Sequence, residues 1–244
     1  MSNTVRQPMA AANWKMNGNR ALVADFAKAH WADGVERVFA LPASLLPVAE
    51  QHGLSALAGQ DVSAHENGAH TGELSATLLK EAGCAYVVIG HSERRTDFHE
   101  DEALLVAKWK QLKAKGLTPI YCIGESLEEY EQGTTAQSLA RQLEPILEVD
   151  LLDEQSVIAY EPVWAIGTGK AATAEYAQQV HEQIRKMLEK KSATMAHSVR
   201  LLYGGSVKPD NAKALFAGAD IDGFLVGGAS LKVDDFQKIV EAMV

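Results

Sequence analysis

Eight short apolar runs recur along this 244-residue chain, each followed by a polar or helical stretch. They are MAAAN (9–13), VFAL (38–41), LSALAG (54–59), AYVVIG (85–90), PIYCIG (119–124), VIAYE (157–161), RLLYGG (200–205) and DGFLVGG (222–228). Several are continuously apolar rather than alternating, as strands covered on both faces of a parallel sheet are. Helical stripes lie between them. Leu105, Trp109 and Leu112 share one face, with Gly116 placed to end that helix. Val180, Ile184 and Leu188 form a second stripe, and Val233, Phe236 and Val240 a third. Eight strand–helix steps of roughly 30 residues each match the size of a βα unit. No linker, low-complexity tract or charge block divides the chain, so residues 1–244 are expected to form one α/β domain, a closed (β/α)8 barrel. An open doubly wound sheet is the second choice.

A net charge of -9 argues against a nucleic-acid or membrane-surface partner. It also means that an anionic substrate must be drawn by local positive groups. Cys84 and Cys122 sit in apolar runs and make no disulfide framework. No apolar stretch is long enough for a signal peptide or a membrane span, so the cytoplasm is the expected location.

In a barrel of this kind chemistry gathers at the C-terminal ends of the strands. That filter selects Asn13, Lys15, His91, Glu93, Cys122, Glu161, Ser206, Gly227 and Gly228 as residues around one mouth. Glu161 ends a buried strand and is followed by a proline, which suits a positioned general base in a water-poor site; a cap or ion-paired acid is the bland alternative. His91 stands at a strand-to-helix junction, where a helix N-terminus favours the neutral imidazole, a donor to a carbonyl oxygen gaining charge. The other seven histidines are expected to be structural. Lys15 is a local cation for an anion, and Asn13 adds an amide beside it. The turns GTGK (167–170), YGGSV (203–207) and VGGAS (226–230) all follow strands, and their backbone N–H groups can cradle a phosphate. GTGK is not a P-loop, because Ala171 stands where Ser or Thr is required. No metal-ligand spacing is visible, so no metal is expected. One base, one neutral electrophile, one cation and a phosphate cradle point to proton abstraction beside a carbonyl of a small phosphorylated metabolite. An aldolase or epimerase on the same scaffold, and an inactive barrel used for binding, are the competing readings.

NWKMNG (13–18), GHSERR (90–95), CIGE (122–125), AYEPVWAIGTGK (159–170) and YGGSV (203–207) together resemble the signature segments of the triosephosphate isomerases, in that family's order and spacing. The resemblance implies a TIM barrel that interconverts dihydroxyacetone phosphate and D-glyceraldehyde 3-phosphate without a cofactor. It implies Glu161 as the proton carrier, His91 as the electrophile, and Lys15 with Asn13 on the substrate. Glu93 and Ser92 would support that network, and Gly167, Ser206, Gly227 and Gly228 would grip the phosphate. Residues 162–172 would form a lid with hinges at Val163–Trp164 and at 170–172, which Tyr203 would meet when it is closed. A homodimer is implied too, built by the segment 60–75, whose tip at Thr71 and Gly72 would enter the partner near Asn13 and Lys15. His70 stands where the family often has phenylalanine. Cys122 is expected to be structural and Cys84 to pack in the core.

Overall fold

The computed structural model describes residues 6–54, 56–166 and 172–244. Eight strands, β1 (Met9–Asn13), β2 (Glu36–Ala40), β3 (Leu57–Gly59), β4 (Cys84–Ile89), β5 (Thr118–Ile123), β6 (Val157–Tyr160), β7 (Arg200–Tyr203) and β8 (Gly223–Val226), pair in chain order as a closed barrel. All pairs are parallel, and β1 meets β8 with Met9 opposite Gly223. The seam is tight: a β-carbon at Gly223 would lie 1.9 Å from the Met9 carbonyl oxygen. The open-sheet alternative is therefore excluded.

Both faces of the strands are buried, which explains the unbroken apolar runs. Met9, Ala11, Ile120, Cys122 and Leu202 fill the barrel interior, while Ala10, Ala12, Tyr121 and Ile123 turn outward against the helices. Each expected helical stripe faces the core. The helix Glu102–Lys115 covers Leu105, Trp109 and Leu112, starts on the Asp101 side chain and stops at Gly116, whose φ of 66° is the left-handed turn expected there. The helix Ala174–Lys191 buries Val180, Ile184 and Leu188, and the helix Val233–Glu241 buries Phe236 and Val240, with Val233 half-buried against the same core. Phe26, Phe39 and Phe236 pack with ring centroids within 6.2 Å, fastening the last helix to β2 and to the first helix, Arg20–Lys28.

Two strands start more than one residue from the expected bounds. β2 begins at Glu36 rather than Val38, because Glu36 and Arg37 lie at the far end of the barrel. There Glu36 pairs with Arg200 and accepts from the Tyr86 hydroxyl at 2.6 Å, so its charge is met. β3 is only Leu57–Gly59, preceded by Ala56 at φ 51°, and its register with β4 shifts between Leu57 and Ala58. Among the described residues no helix is long and apolar enough to cross a membrane.

Candidate active site

Asn13 is the last residue of β1, and the chain turns sharply after it. Lys15 adopts φ 50°, a left-handed conformation that costs a non-glycine residue about 1–2 kcal/mol. Its backbone N–H donates to Asn13 Oδ1 at 3.0 Å, and its carbonyl accepts from Gln60 Nε2 at 2.9 Å. The intervening Trp14 is fully buried, so the backbone is pinned while the lysine side chain reaches the mouth.

After β4, Gly90 at φ 71° turns the chain into the short helix Ser92–Asp97. His91 caps that helix: its Nδ1 accepts from the Glu93 backbone N–H at 3.2 Å. An accepting Nδ1 places the ring hydrogen on Nε2. Nε2 lies 3.0 Å from Glu161 Oε1, and the Ser92 backbone N–H donates to Glu161 Oε2 at 2.9 Å. Both oxygens of this carboxylate, only 2 % exposed, thus hold a donor. That removes the cost an unpaired buried acid would carry. The Lys15 ammonium reaches the same rim, 2.6 Å from Glu93 Oε1.

The loops after β7 and β8 complete the mouth. Gly204 backs directly on Glu161, where a β-carbon would lie 3.0 Å from the Glu161 Cγ, and its N–H is used by the Tyr160 carbonyl at 2.7 Å. Gly227 faces the Lys15 side chain, and space is open beside Gly228. One cavity of about 680 Å3 is lined by Asn13, Lys15, His91, Glu161, Ser206, Gly227 and Gly228. Every candidate catalytic and substrate-binding residue that is described therefore shares a single space. Gly167, with residues 168–171 of the expected lid, lies outside the described residues. Ser92 contributes through its backbone rather than its hydroxyl, and Glu93 through its grip on Lys15. Tyr203 is fully buried behind the cavity; a β-carbon at Gly205 would lie 2.2 Å from its hydroxyl. Burial raises that phenol to about 12.

Comparison with known proteins decides the family. The family model described as triosephosphate isomerase matches residues 8–243. The chain is 60 % identical to the triosephosphate isomerase of Dichelobacter nodosus over 240 residues, 98 % of this chain and 100 % of that one. It is 46 % identical to the triosephosphate isomerases of Alcanivorax borkumensis (97 % and 98 % covered) and Herminiimonas arsenicoxydans (98 % and 100 %). The chain belongs to the triosephosphate isomerase family.

Seen as a triosephosphate isomerase barrel, the site includes two residues whose roles the sequence reading missed. Glu125, at the end of the CIGE segment, is fully buried, and its Oε1 accepts from the Tyr160 hydroxyl at 2.9 Å, Trp164 Nε1 at 2.8 Å and the Tyr176 hydroxyl at 3.1 Å. Burial raises its carboxyl, and these donors offset only part of that rise. Glu125 thereby anchors the turn Val163–Ala165, the expected first hinge of the lid, where Tyr130 also stacks on Trp164 at 4.4 Å. The signal was present: like Glu161, it is an acid just past a strand. Gln60 follows β3 in the same way. Cys122 is fully buried in the barrel interior and burial raises its thiol well above the usual range; Cys84 packs against the outer core, its thiol pushed up to about 12 by burial. Among the described residues no group of three or more His, Cys, Asp or Glu side chains is placed to hold a metal ion.

Proposed function

We propose that this chain interconverts dihydroxyacetone phosphate and D-glyceraldehyde 3-phosphate, a step of glycolysis and gluconeogenesis, with Glu161 moving a proton between C1 and C2 through an enediolate. The observation that carries the reading is the 3.0 Å contact between His91 Nε2 and Glu161 Oε1 inside a cavity that Lys15 also lines. The reaction relocates one carbon-bound proton and one hydroxyl proton and is redox-neutral overall, so a base and a hydrogen-bond donor suffice. Glu161 exchanges one of its two donors for the substrate and takes the proton. His91, with its hydrogen on Nε2, donates to the carbonyl oxygen as negative charge builds there. Lys15 holds the substrate's charge and favours the enediolate, Asn13 orients the lysine backbone, and Glu93 orients its ammonium. Ser206, Gly227 and Gly228 take the phosphate, with Gly167 joining from the lid.

The segment 162–172 acts as that lid. Its first hinge, Val163–Ala165, is held by the Glu125 cluster through the Trp164 Nε1 bond. Closure expels water and strengthens every charge interaction inside. The chain also acts as a homodimer in the cytoplasm. Met16 is 96 % exposed and Phe98 63 %, and Phe98 lines one cavity with Gly72 of the exposed Thr71–Gly72 tip; a partner copy would cover these residues. His70 stacks flat on His65 at 3.8 Å, so this loop is more polar than one carrying phenylalanine.

A coupled assay with D-glyceraldehyde 3-phosphate in the presence of a chelator tests the reaction. Turnover is expected; its absence, or a covalent adduct trapped by borohydride, would overturn the reading. Sedimentation at graded concentration tests the dimer, with a single monomeric species as the contrary result.

A further inference from the structure

Lys15 is a charged residue in a strained backbone conformation, and something must hold it there. We infer that Gln60 is a positioning residue for the reaction: its side-chain amide clamps the strained backbone of Lys15 and so aims the ammonium into the site. This rests on the reading that Lys15 acts on the substrate.

Gln60 comes directly after β3, and its Nε2 donates twice, to the Lys15 carbonyl at 2.9 Å and to the Ala40 carbonyl at 3.0 Å. Both partners are acceptors only, which fixes the amide nitrogen toward them. The Ala40 carbonyl also accepts the Trp14 N–H at 3.1 Å. One amide therefore ties the ends of β1, β2 and β3 together at the residue whose φ is 50°. With Asn13 Oδ1 on the Lys15 N–H, the polar groups on both sides of the strained residue are held by side chains. A relaxed φ would break both bonds.

The footing of Gln60 is rigid. Its neighbour Asp61 accepts from Lys108 Nζ at 2.6 Å and from Arg94 Nη2 at 2.9 Å. Lys108 is 3 % exposed and also bonds Glu100 at 2.5 Å, as does Arg94 Nε at 2.6 Å. Arg94 follows Glu93, whose carboxylate grips the Lys15 ammonium. Lys15 is thus held at its backbone by Gln60, whose neighbour Asp61 is fixed by two cations, and at its ammonium by Glu93.

A double-mutant cycle tests this, with kcat, KM and thermal midpoint measured on the full chain for Gln60→Ala, Lys15→Ala and the pair. Gln60→Ala should lower kcat/KM by about tenfold to a hundredfold, the scale of a 1 Å misplacement. In the Lys15→Ala background the same change should alter it by less than about twofold, because the clamp has nothing left to aim. Gln60→Glu keeps the shape but turns both donors into acceptors facing carbonyl oxygens, so it should lose at least as much; it carries the test should Gln60→Ala not fold. Equal losses in both backgrounds, or kcat/KM within about twofold of the parent, would overturn the inference, as would failure of both Gln60 variants to fold. If Lys15→Ala alone retained full activity, the role of Lys15 itself would fall, which separates the two failures.

Discussion

A β-carbon placed on Gly124 would stand 1.8 Å from the carbonyl oxygen of Glu161. The ends of β5 and β6 are pressed together there, and the Glu161 N–H donates to the Ile123 carbonyl at 2.8 Å. Gln142 seals the contact, accepting from Gly124 N–H at 2.9 Å and donating to its carbonyl at 2.8 Å. Any side chain at position 124 must push the backbone carrying Glu161. Gly124→Ala is expected to cost about 1–3 kcal/mol of stability as an overpacking change and to lower kcat at least about tenfold by displacing the carboxylate. Urea unfolding alongside steady-state kinetics checks both; unchanged kinetics would show that Glu161 is positioned independently of this contact.

Glu161→Asp withdraws the carboxylate by one methylene, about 1 Å, and should cost on the order of 100-fold in kcat. Activity within about threefold of the parent would remove Glu161 from the role of base.

Lys15→Ala should raise KM and lower kcat together, since the cation is assigned to substrate charge and to the developing enediolate. A rise in KM alone would confine Lys15 to binding.

Three donors converge on one oxygen of Glu125 inside the protein. Glu125→Ala leaves them without this acceptor and should destabilise by about 3 kcal/mol or more, whereas Glu125→Gln keeps an acceptor oxygen and should lose about 1 kcal/mol. Equal losses in chemical denaturation would mean that volume, not hydrogen bonding, matters at this position.

Acid should loosen the short helix that carries Tyr130, the ring stacked on Trp164. Glu129 closes a capping box with Ser126 on the helix Leu127–Glu131 and pairs with Arg141 at 2.8 Å. Burial alone would raise its carboxyl, but the Ser138 and Arg141 side chains and the Ser126 N–H hold it at about 2, against 4.5 for the free group. A carboxyl depressed by folding contributes stability above its unfolded value and loses it as pH falls through the folded one. The difference in urea midpoint between the parent and Glu129→Gln should therefore be full above about pH 4.5 and vanish near pH 2. A difference that does not change with pH would assign the effect to packing.

Strand-end position was the informative signal in the sequence. A parallel sheet buried on both faces writes itself as apolar runs, and the first polar residue after each run marks the mouth. Asn13, Lys15, His91 and Glu161 were legible for that reason. Glu36 and Arg37 were not, because a charged pair at the far end of β2 looks like loop until Arg200 and Tyr86 are seen to meet it. Lys108 reads as a solvated residue on an amphipathic helix, yet its ammonium lies buried between Asp61 and Glu100. Its partners are distant in sequence, and no local pattern announces them. Gln60 and Glu125 act through other residues rather than on the cavity directly, so their place beside a strand end was visible but their contacts were not.

The seam between β1 and β8 also sets an order of events in folding. Met9 must find Gly223 across nearly the whole chain, a pairing of very high contact order that comes late. Asn13 and Lys15 stand on one side of that junction, Gly227 and Gly228 on the other. A partly assembled ring would hold Glu161 and His91 but not a complete phosphate-and-ammonium pair, so the return of turnover during refolding times the closing of the circle.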